Sequence, residues 1–393
     1  MKKFRIAVLS HVNAQPLGQK RWFQLSETHK NIDVHLISPR CWKSNYFGNT
    51  IFYPQSNVDK NNFHISTLPV FKNGNDSFYL FVGLLRQLLL IRPDIIYVIG
   101  MNLSMLHCII LKKLFLFDAK IVVFTMSAPE IKPNFPTERK NFISNLVTFF
   151  LWKLSLKFAD GFVCHYPDLR NNIVNMGYSK SILVQTQIGV DECLYKRDFN
   201  FRSHFRSENK FDGFVIGFVG RIAEFKGIFD LLEATKYLRL DVKLLIVGDG
   251  PELDKFKARV FRTGLINRVL AIGYVSPYEV PQYMSAMDCL FVGSRSTKDW
   301  VDTFPNVVAQ AMVLGLPVIG STCGAIPYMI NDPDLIFKEG DITELVEKIN
   351  KLIDNPNWTE NKSVLLKKRG NEKFSISGLN LEFHHFLLKN YIL

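Results

Sequence analysis

The sequence predicts an α/β protein with two doubly wound parallel sheets, one in each half of the chain. Its 393 residues exceed what a single core usually holds, so two domains are expected. Short apolar runs rich in β-branched residues alternate with helical patterns, as in parallel sheets joined by crossover helices. The alternation disappears in the charged segment 196–213 and then restarts. We therefore predict a first domain at 1–205, a second at 206–370, and a closing segment at 371–393 whose helix could pack back on the first domain.

The first half alternates strands and helices from its start. The predicted strands are 5–10, 34–38, 95–99, 121–124 and 161–164, and the predicted helices are 19–28, 79–91, 103–115 and 141–158. Ligands of such folds bind beyond the carboxyl ends of the strands. The loops at 11–20, 100–104, 125–136 and 165–168 should therefore carry the functional residues of this half.

The second half repeats the pattern. The predicted strands are 214–218, 243–247, 269–272, 289–292 and 317–319, and the predicted helices are 228–237, 251–262, 277–285, 306–314, 343–353 and 379–391. It is expected to form a second domain of the same type.

Composition and cysteine usage favour a globular protein of a reducing compartment. The chain is 47% hydrophobic and 21% charged, and its six cysteines contain no CxxC pair, so free thiols in the cytoplasm are expected. The apolar run at 6–9 is too short for a signal peptide and reads as a first strand. Charged residues interrupt the apolar stretches 77–99 and 141–163, so neither is expected to span a membrane.

The net charge of +12 belongs entirely to the first half. Residues 1–205 hold 25 Lys and Arg against 13 Asp and Glu, whereas 206–393 hold 23 of each. Lysines interleaved with large apolar residues at 105–117 and 149–158 suit a peripheral contact with the inner face of an anionic membrane, or a lipid-linked acceptor. Two core helices with solvated lysines explain the same pattern. Nucleic acid is not expected as a partner, because no nucleic-acid-binding module is recognisable.

The segment 291–326 has the features of a phosphate site. Pro305 and Gly315 mark the two ends of a helix at 306–314, and a helix start offers unpaired amides and partial positive charge to an anion. Asp302, in the preceding loop, could accept hydrogen bonds from a neighbouring hydroxyl. An ordinary strand-loop-helix connection is the alternative interpretation.

A second motif opens the second domain with IGFVGRIAEFKG. A strand ends at Gly220, and Arg221 and Lys226 follow before the next helix, so two cations and free amides meet at one strand end. A diphosphate is the simplest ligand, and the alternative is that both cations are ordinary surface residues beside a strand end. The loop after the first strand of the chain contains only Gly18, so no GxGxxG fingerprint is present and a dehydrogenase is not favoured.

Taken in order, VGRIAEFKG, IVGDGPE, IGYVS and DTFPNVVAQAMVLGLPVIGSTCGAIP resemble the second half of the family 4 glycosyltransferases, the glycosyl transferases group 1. The resemblance covers about 214–354, with weaker similarity earlier in the chain. It implies the GT-B fold, two Rossmann-like domains with a cleft between them, and a retaining reaction that needs no bound metal and no cofactor.

The resemblance also implies roles for individual residues. The family's two donor-binding glutamates correspond to Asp302 and Gln310, so the carboxylate is kept but shortened at the first position and becomes a neutral amide at the second. Asp302, Arg221 and Lys226 are the predicted catalytic residues. The predicted donor-binding residues are Gly220, Phe304, Pro305, Asn306, Gln310, Tyr274 and Gly18. The residues assigned to the sugar or acceptor side are His11, His165, Asn13 and Lys20, although a structural role is the alternative for each histidine.

The implied substrates are a nucleotide diphosphate sugar, with UDP or GDP, and a hydroxyl of a glycan or lipid-linked acceptor in bacterial cell-surface glycan synthesis. No metal ligands are expected, since the DxD at Asp332 to Asp334 reads as a turn. The alternative is a degenerate member that binds a nucleotide sugar or a partner transferase, because both family glutamates are replaced.

Overall fold

The computed structural model describes residues 3–44, 50–54, 58–71, 73–74, 79–100, 103–114, 118–126, 139–298 and 300–392, with the backbone alone for 17, 44, 50 and 139–148. Two compact units divide the chain. The first consists of Met1–Gly189 together with Leu379–Leu393, and the second is Val190–Gly378.

The first unit is built on one sheet whose strands are parallel except at one edge. Its order is β12-β11-β10-β9-β1-β2-β6-β5, and only β5 runs antiparallel to its neighbour. Two small antiparallel pairs, β3-β4 and β7-β8, complete the described strands. The strands are β1 (Phe4–Leu9), β2 (Ile32–Pro39), β3 (Trp42–Ser44), β4 (Thr50–Phe52), β5 (Asp59–Lys60), β6 (Phe63–Leu68), β7 (Val70–Phe71), β8 (Leu80–Phe81), β9 (Ile95–Ile99), β10 (Lys120–Thr125), β11 (Gly161–Cys164) and β12 (Ser181–Val184).

Helices cover both faces of this sheet, because alternate residues of each parallel strand point to opposite faces and both sets are apolar. Ala7 and Leu9 of β1 belong to one buried cluster, and Ile6 and Val8 to the other. The helices are α1 (Pro16–Thr28), α2 (Leu84–Ile91), α3 (Leu103–Lys113), α4 (Arg139–Phe158) and α5 (Pro167–Asn175).

The second unit has a fully parallel six-stranded sheet in the order β15-β14-β13-β16-β17-β18. Counted within the unit, this is 3-2-1-4-5-6, the strand order of the Rossmann fold. The strands are β13 (Val215–Val219), β14 (Lys243–Val247), β15 (Val269–Gly273), β16 (Cys289–Val292), β17 (Val318–Ser321) and β18 (Ile336–Phe337). The helices are α6 (Phe199–Glu208), α7 (Ile228–Thr235), α8 (Leu253–Arg262), α9 (Val280–Ser285), α10 (Asn306–Leu314), α11 (Ile326–Ile330), α12 (Ile342–Asp354) and α13 (Pro356–Lys373).

The last helix, α14 (Ile376–Asn390), contributes to the first unit from Leu379 onward. Asn380 donates to the carbonyl of Arg21 (3.0 Å) and accepts from its guanidinium, which also donates to the carbonyls of Thr186 and Gln187. Phe383 packs against Trp22 and Tyr97. The buried Arg21 thus ties α1, the segment after β12 and α14 together.

The predicted linker at 196–213 is not irregular, because α6 occupies most of it. Asp198 caps the helix by accepting from the amide of Phe201 (2.9 Å), and Arg202 and Arg206 both bind Asp288, which precedes β16. The segment therefore belongs to the second unit, and the observed boundary at Gly189 and Val190 differs from the predicted one at 205.

Two other predictions about the first half need correction. The loop predicted at 11–20 is a 3₁₀ turn at Val12–Ala14 followed by the first residues of α1, which starts at Pro16. The helix predicted at 79–91 begins only at Leu84, because Leu80–Phe81 pairs with Val70–Phe71 and Gly83 adopts a left-handed conformation with φ 83°. Part of the loop predicted at 125–136 lies outside the described residues.

The remaining elements agree with the predicted fold class. Two parallel sheets with helices on their faces are present, and α10 has the predicted bounds. All six cysteines are free thiols, as predicted. Among the described residues, no helix has both the length and the apolar character that crossing a membrane would require.

Candidate active site

The second unit has a topological switch point between β13 and β16. The two strands lie side by side, whereas the chain leaves β13 toward β14 on one side and leaves β16 toward β17 on the other. Ligands of doubly wound sheets bind at such a point, beyond the carboxyl ends of the strands. Both sequence motifs follow these two strands, so the fold brings them together.

Glycines let the backbone segments at this edge approach each other closely. A Cβ on Gly227 would lie 2.0 Å from the carbonyl oxygen of Gly293, and Gly227 has φ 72°. A Cβ on Gly248 would lie 1.9 Å from the carbonyl oxygen of Gly220. The backbone after β13 therefore packs directly on the backbones after β14 and β16. This leaves little room for side chains between them.

Lys226 and Asp302 form an ion pair across the switch point. Nζ of Lys226 donates to Oδ2 of Asp302 at 2.7 Å, and Oγ of Ser294 donates to the same oxygen at 2.7 Å. The side chain of Asp302 is 8% exposed and that of Lys226 is 26% exposed. A charge this well buried is stable only when it is paired, so each ion holds the other in place.

Aromatic rings cover the same ammonium group. Nζ of Lys226 lies 4.4 Å from the centroid of the Trp300 ring, which packs against Phe225 at 4.5 Å. A cation over an indole face is stabilised by the ring quadrupole. The ammonium is thus held between a carboxylate and an aromatic face, with part of its surface open to solvent.

A second ion pair braces the loop that carries Ser294. Nε of Arg295 donates to Oδ2 of Asp230 in α7 at 2.7 Å, and its backbone amide donates to the carbonyl of Phe225. Burial raises the pKa of Asp230, and the hydrogen bonds from Arg295 oppose that shift. The brace fixes the chain after β16 against the start of α7.

The start of α10 lies next to Asp302 in the chain and presents its amides without a side-chain cap. Pro305 is the N-cap residue, and the amide of Val308 already bonds to the carbonyl of Pro305 at 2.9 Å. The amides of Asn306 and Val307 are first-turn donors of the kind that bind anions. Phe304 is half-buried, and its ring contacts Phe374 edge-on at 5.8 Å.

Three other predicted side chains are wholly or partly open to solvent. Arg221 is exposed, and Tyr274, directly after β15, is 75% exposed. Gln310 is half-buried within α10, and none of the described residues hydrogen-bonds to its side chain. These side chains remain available to a ligand.

Sequence reasoning missed the residues that position the pair. Ser294 and Arg295 directly follow β16, within the same stretch as Asp302, and Asp230 lies in the first turn of α7. A polar side chain at the carboxyl end of a parallel strand was the available signal for Ser294. The bond between Arg295 and Asp230 joins residues 65 apart, and no local pattern predicts it.

In the first unit, the predicted residues after β1 are packed rather than open. His11 stacks on Trp42 at 4.7 Å and meets Tyr79 edge-on at 5.4 Å. Asn13 is buried and donates to the carbonyl of Val8 at 3.2 Å. Gly18 lies in the first turn of α1, where a Cβ would come 2.4 Å from the carbonyl oxygen of Val12. Packing of α1 on the preceding turn therefore accounts for this glycine.

The other two residues predicted on this side differ in exposure. His165, at the end of β11, is 8% exposed and meets Phe124 edge-on at 5.0 Å. Burial lowers its pKa to about 3, so the imidazole is neutral at physiological pH. Lys20 is exposed on α1. Within the first unit, His11 and Asn13 follow β1, whereas His165 follows a strand three positions away in the sheet.

The acidic motif at Asp332 to Asp334 is a turn, as predicted. Asp332 accepts from the amide of Asp334 at 3.1 Å and caps a 3₁₀ turn at Pro333–Leu335. Lys362 pairs with both carboxylates, and hydrogen bonds from Lys351 and Lys362 lower the pKa of Asp334 to about 2. The two carboxylates are therefore neutralised by lysines of the same unit.

Comparison with known proteins gives one family. Residues 200–372 match the family described as glycosyl transferases group 1. A 2-deoxystreptamine glucosyltransferase of Streptomyces kanamyceticus is 32% identical over 37% of this chain and 37% of its own. A capsular polysaccharide biosynthesis glycosyltransferase, CapM of Staphylococcus aureus, is 32% identical over 42% of this chain and 43% of its own. The chain thus spans about two fifths of the length of these relatives.

Solved structures extend the likeness to nearly the whole chain. HepE of Anabaena, in complex with UDP, has a TM-score of 0.69 at 18% identity and covers 99% of this chain and 100% of its own. A sucrose-phosphate synthase of Thermosynechococcus elongatus has a TM-score of 0.68 at 17% identity and covers 98% of this chain and 99% of its own. These likenesses show the fold, and the predicted GT-B class with two Rossmann-like domains is confirmed.

Proposed function

We propose that this chain, whose residues 200–372 match the glycosyl transferases group 1, transfers a sugar from a nucleotide diphosphate sugar to an acceptor hydroxyl. The transfer would retain the anomeric configuration, as the resemblance implies. The observation that carries the proposal is the ion pair of Lys226 and Asp302 at the switch point of the second unit, beside the uncapped start of α10.

The ammonium of Lys226 is suited to bind a phosphate without leaving Asp302. It has three N–H donors, of which the bond to Asp302 uses one. A diphosphate oxygen can therefore share the same cation, while Ser294 keeps the carboxylate in place. As the glycosidic bond breaks, negative charge grows on the leaving diphosphate, and a fixed cation stabilises that charge.

Two further groups would complete the diphosphate site. Arg221 follows β13 and is exposed, and the amides of Asn306 and Val307 begin α10. Together with Lys226 they supply the positive potential for a departing nucleoside diphosphate. The resemblance implies that the reaction needs no bound metal, and these groups fit that implication.

Two exposed or half-buried side chains could bind the nucleoside part of the donor. Gln310 can accept from or donate to a ribose hydroxyl through its amide. The Tyr274 ring, 75% exposed after β15, offers a face for a base to stack on. A neutral amide at position 310 should hold the ribose more weakly than a carboxylate would, because charge-assisted hydrogen bonds are stronger.

The relatives suggest the substrate class. CapM of Staphylococcus aureus is described as a capsular polysaccharide biosynthesis glycosyltransferase, and TuaC of Bacillus subtilis, 30% identical over 142 residues, as a putative teichuronic acid biosynthesis glycosyltransferase. HepE of Anabaena has been solved with UDP and glucose. We therefore propose a UDP-sugar as the first donor to test, a GDP-sugar as the second, and a glycan or lipid-linked acceptor of a cell-surface polysaccharide.

The lysines of the first unit support a peripheral membrane contact as part of the same proposal. Nζ of Lys113 and Nζ of Lys157 lie 4.6 and 5.4 Å from the Phe158 ring centroid, and Leu114 is 63% exposed. Lys112 pairs with Asp160 at 2.6 Å and keeps only part of its charge for an outside partner. Co-sedimentation with anionic vesicles should weaken as salt rises. Binding that ignores salt, or no binding, would remove this part of the proposal.

The function is tested with the full chain against a panel of UDP- and GDP-sugars. We expect one donor to raise the melting temperature and to be hydrolysed slowly, and its sugar to reach a lipid-linked acceptor. A chain that neither binds nor consumes any donor would refute the proposal. A chain that binds a donor but never transfers its sugar would support the alternative, a degenerate nucleotide-sugar-binding subunit.

The variant Arg221→Ala tests the proposed contact between Arg221 and the diphosphate of the donor. The side chain is exposed and forms no ion pair with any described residue, so stability should change by less than about 0.5 kcal/mol. The affinity for the donor should nevertheless fall about tenfold, since a charge-assisted contact to phosphate is lost. Arg262→Ala, an exposed arginine of α8, is the matched control and should leave donor affinity unchanged.

A further inference from the structure

Two imidazoles and a carboxylate meet on one face of the first unit's sheet. Asp33 and His35 lie two residues apart on β2, and the strand register puts His64 of β6 beside His35. Nε2 of His64 lies 2.9 Å from Oδ1 of Asp33, and Nε2 of His35 lies 3.2 Å from Oδ2. The side chains of Asp33, His35 and His64 are 12%, 16% and 25% exposed, so a small ion and a water molecule can enter from solvent.

The hydrogen bonds of this cluster do not balance with neutral imidazoles. Nδ1 of His64 lies 2.6 Å from Oδ1 of Asp59, so both ring nitrogens of His64 face carboxylate oxygens. A neutral imidazole has a single N–H. The ring therefore donates to both carboxylates as an imidazolium, or it is neutral and turns one lone pair toward a carboxylate oxygen. A neutral ring turns Nδ1 toward Asp59 or Nε2 toward Asp33. In the last arrangement a cation between Nε2 and the carboxylate of Asp33 resolves the repulsion of the two acceptors.

We propose that Asp33, His35 and His64 bind a divalent transition metal, with Zn²⁺ as the expected ion and Asp59 as the residue that orients His64. The ligand atoms of the three residues lie within 4.8 Å of one another. Ligands of a tetrahedral zinc are about 3.3 Å apart, because each metal–ligand bond is about 2 Å. The distances of 2.9 and 3.2 Å are close to that spacing.

The hydrogen bonds around the three proposed ligands fit the same assignment. A metal-bound histidine usually donates its other ring N–H to a carboxylate, as His64 would to Asp59. Nε2 of His35 faces the same carboxylate of Asp33, so its lone pair can reach the same ion. Asp33 and Asp59 would together balance the two positive charges of the ion.

The location separates this metal from the proposed sugar transfer. Asp33 and His64 are each the second residue of their strands, so they lie near the amino ends of β2 and β6. His11 and His165 follow the carboxyl ends of strands in the same sheet. The ion would clamp β2 to β6, and its role is structural. The proposal therefore does not depend on the proposed function.

The experiment titrates the chelator-treated, untagged full chain with Zn²⁺, and separately with Co²⁺ as a spectroscopic probe. We expect about one equivalent of either ion to bind and the melting temperature to rise. The Co²⁺ spectrum should show nitrogen and oxygen ligation without a thiolate charge-transfer band. No binding by the wild-type chain, or a thiolate spectrum, would overturn the proposal even if every variant failed to fold.

Variants then identify the ligands. His35→Gln and His64→Gln should abolish the stoichiometric binding, and Asp59→Asn should weaken it about 10- to 100-fold. His204→Gln, which removes an exposed histidine paired with Glu208 in α6, is the control and should bind like the wild type. Zn²⁺ affinity that stays unchanged in both His35→Gln and His64→Gln would refute the assignment.

Discussion

The two units share a topology but place different side chains at the same position in the fold. In each, the first strand lies at the switch point of a parallel sheet and is followed by a tight 3₁₀ turn and a helix. In the second unit that turn presents Lys226 to a buried carboxylate. In the first unit the equivalent turn presents Asn13, with His11 packed between Trp42 and Tyr79. The topology determines where a ligand can bind, and the side chains at that position determine whether the ligand can be an anion.

The two units also differ in where their basic residues lie relative to the switch point. No lysine or arginine lies within the turn at Val12–Ala14, whereas Lys112 and Lys113 end α3 and Lys157 ends α4. These three lysines therefore lie away from that switch point. The unit with no net surplus is the one with cations at its switch point, so net charge alone does not identify the proposed anion site.

The largest expected effect comes from breaking the ion pair. Lys226→Ala leaves the Asp302 carboxylate buried with Ser294 as its remaining donor among the described residues, which should cost about 3 kcal/mol of unfolding free energy and abolish transfer. Urea unfolding and a transfer assay measure the two losses. Lys236→Ala removes an exposed pair with Glu233 of the same length, 2.7 Å, and should cost less than about 1 kcal/mol.

The double variant Lys226→Met with Asp302→Leu separates the two roles of the pair. Replacing a buried ion pair by apolar residues often restores stability, so this variant should unfold near the wild-type midpoint and remain inactive. Recovery of transfer together with stability would show that the pair is structural only, and the proposed role of Lys226 would be wrong.

Glycine substitutions test how closely the backbones approach in each unit. Gly227→Ala meets the carbonyl oxygen of Gly293 at 2.0 Å and keeps an unfavourable φ of 72°, so a loss of about 3 kcal/mol is expected. Gly18→Ala meets Val12 at 2.4 Å without a positive φ, and about 2 kcal/mol is expected. Gly220→Ala, with φ 147° and an open surrounding, should cost about 1 kcal/mol. Equal losses in thermal unfolding would contradict this ranking.

His165 should make the first unit sensitive to acid. Its folded-state pKa of about 3 lies below the unfolded value of about 6.5, so the unfolded chain binds a proton that the folded chain excludes. The contribution of the neutral His165 to the free energy of unfolding is therefore fully present above about pH 6.5. It falls as the pH approaches 3, with a loss of about 2 kcal/mol at pH 5. Denaturant titrations at pH 7.5 and at pH 5 give the free energy of unfolding at each pH. Between these two pH values, this free energy should fall less in His165→Gln than in the wild type. An identical loss would mean that His165 is protonated in the folded chain.

Gln310→Glu should have the smallest effect. A carboxylate at this position would accept from a ribose hydroxyl more strongly than the amide does, so donor affinity should rise by less than about tenfold while stability stays unchanged. Isothermal titration with the donor that the panel identifies would measure the change. If activity instead rose from nothing, the natural chain would be a degenerate member, which the alternative function requires.

Much of the fold follows from the sequence because it is encoded locally. The strands Ile95–Ile99, Lys243–Val247 and Cys289–Val292 and the helix Asn306–Leu314 have their predicted bounds. Each is a short apolar run or a helix with marked ends, buried on the faces that the pattern predicts. The same local signals placed Gly220, Arg221 and Lys226 at a strand end.

The elements that were missed depend on distant partners. α6 is held by Phe205 packing edge-on to Tyr283 and by Arg202 binding Asp288, residues 78 and 86 positions away. β5 and β6 surround a polar turn, and their strand character comes from pairing with each other and with β2. α13 buries only Leu366 and Gly370, so its sequence lacks an apolar stripe. The pairing of Lys226 with Asp302, across 76 residues, is a property of the assembled sheet.

The first unit consists of two separate stretches of the chain, the second of which begins at Leu379, and this has a consequence for how the protein folds during its synthesis. During vectorial synthesis, β1 to β12 leave the ribosome long before α14, so Arg21 and Trp22 lack Asn380 and Phe383 while the second unit is being translated. The second unit is continuous in sequence and can complete its sheet first. We therefore expect the order of folding to be the reverse of the order of translation, with the nascent first unit sensitive to proteolysis until α14 emerges.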